Sequence, residues 1–301
     1  MDVVVGVDIG GTKVAAGRVT AQGTVRGSLR TVPTPTEDAD AVVSGVVAVV
    51  RDVLADGKAA GESPVAVGIG CAGTIDWARG VVVVSPHVPL TETPLASLVA
   101  GQIGLPVILD NDANVAALAE ARVGAGRGSR HLVMFTLGTG VGGGLILDGR
   151  LYRGSTGAAA ELGHTVVAAG GEMCRCGGRG CLEEYASGRA LERYYGKGLT
   201  GVEVGRLAAR GDPGALAAVA QVSGWLGVGL TNAANTFNPE VIVVGGGLSE
   251  LGELLLAPAR EVMATSALCP NRDIARVVGA ALGNDAGVLG AALLAWEDAV
   301  L

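Results

Sequence analysis

Basic residues are too few in this chain to support a polyanion-binding role: 22 Lys+Arg stand against 29 Asp+Glu, a formal charge of −7. With a pI near 5.0, it carries no electrostatic footprint for a nucleic-acid backbone or an anionic membrane. Long hydrophobic runs are also missing, despite a mean hydropathy of +0.46. The longest uncharged stretch, Pro213 to Pro239, contains Gln221, Ser223, Asn232, Asn235 and Asn238 and reads as a buried helix, not a bilayer span. Asp2 and Asp8 interrupt the first apolar segment, so no signal peptide is expected and a cytoplasmic location is. Neither a Gly-x4-Gly-Lys-[Ser/Thr] phosphate loop nor an aromatic-rich core is present, aromatics being 3% of the chain. What is abundant is glycine, with 50 residues and no collagen-like period, which implies many tight turns and close backbone approaches.

A length of 301 residues allows one large domain or two ordinary ones. Strands expected at Val3 to Val7, Val14 to Val19 and Val65 to Ile69 alternate with a helix over Ala39 to Ala55, as in a layered α/β domain. Pro106 to Leu109 is a short strand entering Asp110-Asn111-Asp112, followed by helix formers from Ala113 to Arg122. A second cycle then starts: strand His131 to Leu137, a glycine loop, strand Leu145 to Leu147 and an Asp148-Gly149 hairpin signal. Asp8-x-Gly10-x-Thr12 and Thr136-x-Gly138-x-Gly140 occupy matching places in the two cycles, so two related halves can grip one ligand. Helices over Leu216 to Asn235, Glu250 to Met263 and Asp285 to Ala299, with a strand at Val241 to Val244, complete the pattern, and the hinge is placed near Asn111.

Gly68-x-Gly70-x-x-Gly73 and Gly138-x-Gly140-x-x-Gly143 both fit the dinucleotide pattern, but neither is followed by the helix that would receive a pyrophosphate. A glycine hairpin can bind phosphate through its own N–H groups. In Asp8-Ile9-Gly10-Gly11-Thr12-Lys13 the carboxylate can hold magnesium, directly or through water, and Thr12 can donate to phosphate oxygens; an ordinary tight hairpin is the bland alternative. Four cap-type residues lie in Asp110-Asn111-Asp112-Ala113-Asn114, where one helix cap needs only one. Asp112, at a helix N-terminus that favours its anion, can accept a hydroxyl proton during phosphoryl transfer. His164, Cys174, Cys176 and Cys181 make a complete Cys3His set for a structural zinc with no open position for water. Glu161 and Glu183 flank that set and, with Asn111, Asp112 and His164, suit a polyhydroxylated ligand; solvent-facing charge is the alternative for each glutamate. Cys71 and Cys269 read as small hydrophobes, and His87 and His131 as surface or core residues.

Taken together these residues resemble the ROK (repressor, open reading frame, kinase) sugar kinases, particularly their bacterial glucokinase branch. Asp8 to Lys13 resembles the first phosphate motif of that family and Thr136 to Gly144 the second. Asn111-Asp112 matches its catalytic dipeptide, Glu161-x-Gly163-His164 its sugar motif, and Cys174-x-Cys176-Gly177-x-x-Gly180-Cys181-x-Glu183 its zinc signature. Gly245-Gly246-Gly247 is similar to its adenosine-side loop.

The resemblance implies a two-lobed, actin-like or hexokinase-like ATPase fold, a duplicated ribonuclease H-like α/β architecture with a cleft between lobes. The expected division is residues 1–111 plus 287–301 for the small lobe and 112–286 for the large one. It further implies ATP-dependent phosphorylation of the glucose 6-hydroxyl, with Asp112 as general base and Asn111, Glu161, His164 and Glu183 on the other hydroxyls. Mg-ATP would lie across Asp8, Gly10, Gly11, Thr12 and Lys13 and across Gly138, Thr139 and Gly140, with Gly246 and Gly247 on the adenosine side. The cofactors are then ATP, Mg2+ and a structural Zn2+ on His164, Cys174, Cys176 and Cys181, and a dimer or tetramer is expected by analogy. Fructose, mannose, N-acetylmannosamine and N-acetylglucosamine are the alternative substrates, since the motifs do not fix pocket shape. A sugar-sensing regulator is disfavoured, because Asp8 lies too near the start for a preceding DNA-binding domain and both phosphate hairpins are retained.

Overall fold

The computed structural model describes residues 1–300. In chain order its elements begin β1 (Asp2–Ile9), β2 (Lys13–Val19), β3 (Val25–Pro33), α1 (Ala39–Ala59), β4 (Ser63–Cys71), β5 (Thr74–Asp76), β6 (Val81–Val84), β7 (Thr91–Thr93), α2 (Leu95–Ile103), β8 (Val107–Asn111) and α3 (Asp112–Val123). They continue as β9 (Leu132–Leu137), β10 (Val141–Leu147), β11 (Arg150–Leu151), α4 (Glu183–Ala186), α5 (Gly188–Tyr195), α6 (Gly201–Ala209), α7 (Pro213–Phe237), β12 (Val241–Gly245), α8 (Glu253–Ser266), α9 (Asn271–Ile274), β13 (Arg276–Gly279) and α10 (Ala286–Ala295).

Two compact units result, the first holding Met1–Gly124, Arg153–Ala159 and Asn284 onward, the second Ala125–Tyr152 and Ala160–Gly283. This differs from the expected division mainly in α3, which belongs to the first unit. The cause lies at Gly290 of α10, where a Cβ would overlap the carbonyl oxygen of Val115, so that α3 and α10 pack backbone against backbone. An α-helix can come that close only where a side chain is missing.

The first unit contains a sheet in the order β3-β2-β1-β4-β8. β1 pairs antiparallel with β2 and parallel with β4, which is parallel to β8. One face is covered by α1, whose buried side includes seven valines from Val42 to Val53. Valine is a modest helix former, so this helix depends on burial of its apolar stripe and on the Asp38 cap, which accepts the Ala41 N–H at 2.8 Å. Opposite, α10 lies on β1 and β4, and Cβ atoms at Gly6 and Gly68 would overlap the carbonyl oxygens of Val288 and Ala291. A small separate sheet, β5-β6-β7, has strands too short to have been read from the sequence.

The second unit repeats the plan, with order β11-β10-β9-β12-β13. Its first two strands form an antiparallel hairpin and β12 and β13 run parallel to β9, so strand order and sense match those of the first sheet. The duplicated α/β architecture expected from the two glycine motifs is therefore present in the topology. α7, begun by the Asp212 cap and Pro213, is long and apolar enough to cross a membrane by composition. Here it is a core helix, with Val222, Leu226 and Leu230 fully buried in the same apolar cluster as Phe135 and Ile242.

The glycine seats define a stability test. Gly68→Ala is expected to destabilise the protein by on the order of 3 kcal/mol through overpacking, read from urea unfolding. Gly101→Ala, within α2 and with open space around the new methyl, should be neutral or slightly stabilising.

Candidate functional site

In the first unit, Asp8 is the penultimate residue of β1 and the hairpin Gly10 to Lys13 closes with the Gly10 N–H donating to the Lys13 carbonyl at 3.0 Å. Thr34 braces the turn, its hydroxyl donating to the Gly10 carbonyl at 2.7 Å. Thr12 and Lys13 are exposed, while Gly11 and Asp8 are half-buried. The cover is Gly287 at the start of α10, where any Cβ would press on the Asp8 carboxylate.

Asn111 and Asp112 stand where β8 becomes α3. Asn111 is the helix cap: its Oδ1 accepts the N–H groups of Ala113 at 2.8 Å and Asn114 at 3.2 Å, while Nδ2 donates to the Gly73 carbonyl at 3.0 Å. With the cap supplied by its neighbour, Asp112 accepts the Ala113 N–H at 2.9 Å. The helix terminus that favours its anion is opposed here by burial. Burial raises the Asp112 pKa above its ordinary value, outweighing the hydrogen bond from Ala113. Asp8 is raised to about 6, by burial first and by the Asp112 charge second, with Lys13 opposing. Two acids withdrawn from water, one of them raised further by the charge of the other, suit a hard dication. His87, read from the sequence as an ordinary surface or core residue, packs beside Gly11 and its charge lowers the Asp112 pKa.

In the second unit, Gly138 to Gly140 turn between β9 and β10, with the Gly138 N–H donating to the Gly140 carbonyl at 2.9 Å. Gly246 has φ +81° and meets the end of β9 so closely that a Cβ would strike Leu137. A cavity of about 630 Å³ opens beside these glycines, lined by Gly138, Thr139 and Gly247 together with Thr200, Arg206, Leu251 and Leu254. That volume lies in the range of about 300–1,000 Å³ usual for small-molecule sites. The latter four were not among the sequence candidates. Thr200 carries a visible signal, since Thr200-x-x-Glu203 forms a capping box, but nothing local says that α6 faces the glycine turn.

Glu161 precedes the single turn Leu162–His164 and follows Ala160, which holds a left-handed φ of 64°. A non-glycine residue pays roughly 1 kcal/mol for that conformation. Glu183 opens α4, and its carboxylate accepts the Val141 N–H at 2.9 Å and an Arg189 N–H at 2.9 Å, tying it to the second glycine hairpin. The ligand atoms of His164, Cys174, Cys176 and Cys181 all lie within 4.8 Å of one another. Tetrahedral zinc at its usual bond lengths sets S···S at about 3.8 Å and S···N at about 3.6 Å. Cys176 Sγ to Cys181 Sγ is 3.7 Å and Cys174 Sγ to His164 Nδ1 is 3.6 Å, so the four residues fit the ion. The Gly178 backbone N–H also lowers the Cys176 pKa toward the thiolate a metal requires.

Two measurements follow from these charges. A carboxyl raised from 3.8 to about 6 keeps a proton that the unfolded chain has already released, so stability falls as pH rises through that window and the cost persists above it. Asp8→Asn is therefore expected to raise the unfolding midpoint at pH 7.5, by roughly 3 kcal/mol at most, with the gain vanishing near pH 4. Stripping metal with a chelator should lower the unfolding midpoint, and calorimetry alongside metal analysis of Cys181→Ala protein should show the same loss; an unchanged midpoint would refute a structural metal.

A model of the ROK family matches residues 4–298 of this chain. A glucokinase of Streptomyces coelicolor is 40% identical, over 99% of this chain and 98% of its own length. Among solved structures, a ROK family glucokinase from Streptomyces griseus in complex with glucose and AMPPNP aligns with a TM-score of 0.85 at 40% identity, covering 98% of this chain and 99% of that one. A ROK hexokinase from Thermus thermophilus aligns equally well, with a TM-score of 0.85 at 37% identity and 98% of each chain covered. With a family model over nearly its whole length and a full-length relative at 40% identity, the chain belongs to the ROK family.

Proposed function

We propose that this protein is an ATP-dependent glucokinase, transferring the γ-phosphoryl group of ATP to the 6-hydroxyl of glucose to give glucose 6-phosphate and ADP. The observation that carries the reading is Asp112, a buried carboxylate at the first turn of α3 beside a second acid, Asp8, on a phosphate-type hairpin. Its full-length likeness to a glucokinase that holds glucose and AMPPNP supports the substrate pair.

Asp112 accepts the proton of the 6-hydroxyl as that oxygen bonds to the γ-phosphorus and the bond to the ADP oxygen breaks. A raised pKa suits a base that works near neutrality. The loose transition state places most of the demand on alignment and charge, so positioning by both hairpins matters more than the strength of the base. N–H groups around Gly10 to Lys13 and Gly138 to Gly140 receive phosphate oxygens, and the cavity beside Gly247 receives the adenosine, its Leu251 and Leu254 giving the base an apolar bed. Magnesium, when bound, neutralises phosphate charge, and Asp8 would hold it directly or through water. Asn111 keeps one amide hydrogen beyond its bond to Gly73, and Glu161, His164 and Glu183 bind the remaining hydroxyls. His164, Cys174, Cys176 and Cys181 would hold a zinc whose part is structural, stabilising the loop that carries His164.

The test is ADP release with Mg-ATP over glucose, fructose, mannose, N-acetylmannosamine and N-acetylglucosamine, with Asp112→Asn as control. Turnover chiefly on glucose is expected, and Asp112→Asn should lower kcat by about 10²–10⁴-fold while glucose binding persists. Preference for another hexose would keep the mechanism and change the substrate. Absence of turnover on every sugar, from folded metal-loaded protein, would reject catalysis in favour of a sugar-binding regulator.

A further inference from the structure

We propose that Arg153 is a positioning residue for the phosphoryl transfer, acting through Asp110 to fix Asn111 and Asp112; the proposal rests on Asp112 being the base. Asp110 lies two residues before that base and its side chain is 2% exposed. Oδ1 accepts the Asn111 N–H at 2.7 Å and the Asn114 side-chain amide at 2.8 Å. Oδ2 accepts Arg153 Nε at 2.6 Å. One carboxylate thus holds the backbone of the dipeptide, the first turn of α3 and a single cation.

Arg153 is itself held on two further sides. Its Nη2 donates to Asp298 at 2.9 Å, and its guanidinium lies 4.6 Å over the Trp77 ring. The plane is therefore fixed by a salt bridge at each edge and an aromatic face, an arrangement that the planar fork of arginine satisfies and a lysine ammonium does not. Without this cation Asp110 is a buried charge lacking its partner, which gives it reason to take up a proton or turn toward water. Turning away releases the Asn111 N–H and protonation weakens its bond, either of which lets the helix start that carries Asp112 shift, and a displacement near 1 Å is worth about 10²-fold in rate. Arg153 touches no expected substrate atom, and its contribution is geometric.

Arg153→Gln, Arg153→Lys and Asp298→Asn should be compared with the parent and with Asp112→Asn, measuring glucose-binding stoichiometry by calorimetry together with kcat and KM. Arg153→Gln is expected to bind glucose at the parental stoichiometry and to lose about 10²-fold in kcat, with KM for Mg-ATP within about twofold. Arg153→Lys should restore part of the rate by keeping the charge on Asp110, and Asp298→Asn, which cuts only the outer tether, should cost a few-fold. Parental kcat in Arg153→Gln overturns the proposal, and so does a kcat loss matched by lost binding stoichiometry and not relieved by lysine. Should Arg153→Gln fail to fold, parental kcat in both Arg153→Lys and Asp298→Asn overturns it. Persistent turnover in Asp112→Asn would overturn the base assignment as well, whereas an inert Asp112→Asn beside a fully active Arg153→Gln would overturn only the positioning role.

Discussion

The first unit depends on the direct seating of α10 on the backbone of β1 and β4, made possible because Gly6 and Gly68 present no side chain to the carbonyls of Val288 and Ala291. From that seat the rest follows geometrically. Gly287 comes down over Asp8 and buries it, and Gly290 lets α3 approach until the helix that begins at Asp112 is packed against α10. Two acids are thereby withdrawn from water, which is the first cause of their raised pKa values. The unusual composition also acquires a reason, since layers this close have little room for aromatic side chains.

Much of the site was legible because its parts are contiguous in sequence. The Asp8 to Lys13 turn, Asn111-Asp112 and the cysteine cluster each fit within a dozen residues, and local spacing is what a sequence displays. Features joined only by tertiary packing were not legible. Arg153 reaches Asp110 across 43 residues, and Arg122 at the end of α3 pairs with Glu297 across 175. The hinge expected near Asn111 reflects the same limit, because the contact that places α3 in the first unit comes from the far end of the chain. The raised pKa of Asp112 was not legible for a related reason: a helix terminus is visible in sequence, whereas depth of burial is not.

The matching strand orders of the two sheets set their differences in relief. Asp8 and Thr136 hold corresponding places at the ends of β1 and β9, so only one of the two hairpins carries a carboxylate. Under the proposed function the hairpin with the acid would hold a dication, while the neutral one offers only its N–H groups. The duplicated scaffold has in this way been made chemically one-sided without any change of topology.

The orientation of His164 has a consequence for recognition. Nδ1 points at Cys174 Sγ, within the cluster that fits zinc. An imidazole bound to a metal through Nδ1 must carry its hydrogen on Nε2, so the ring can no longer alternate between giving and accepting a proton in a hydrogen bond. With a metal on Nδ1, His164 would change from an ambivalent group to a fixed donor that responds only to an oxygen lone pair. In the proposed site, the loop would thereby write one unambiguous character into the recognition of a ligand whose every hydroxyl can otherwise play both parts.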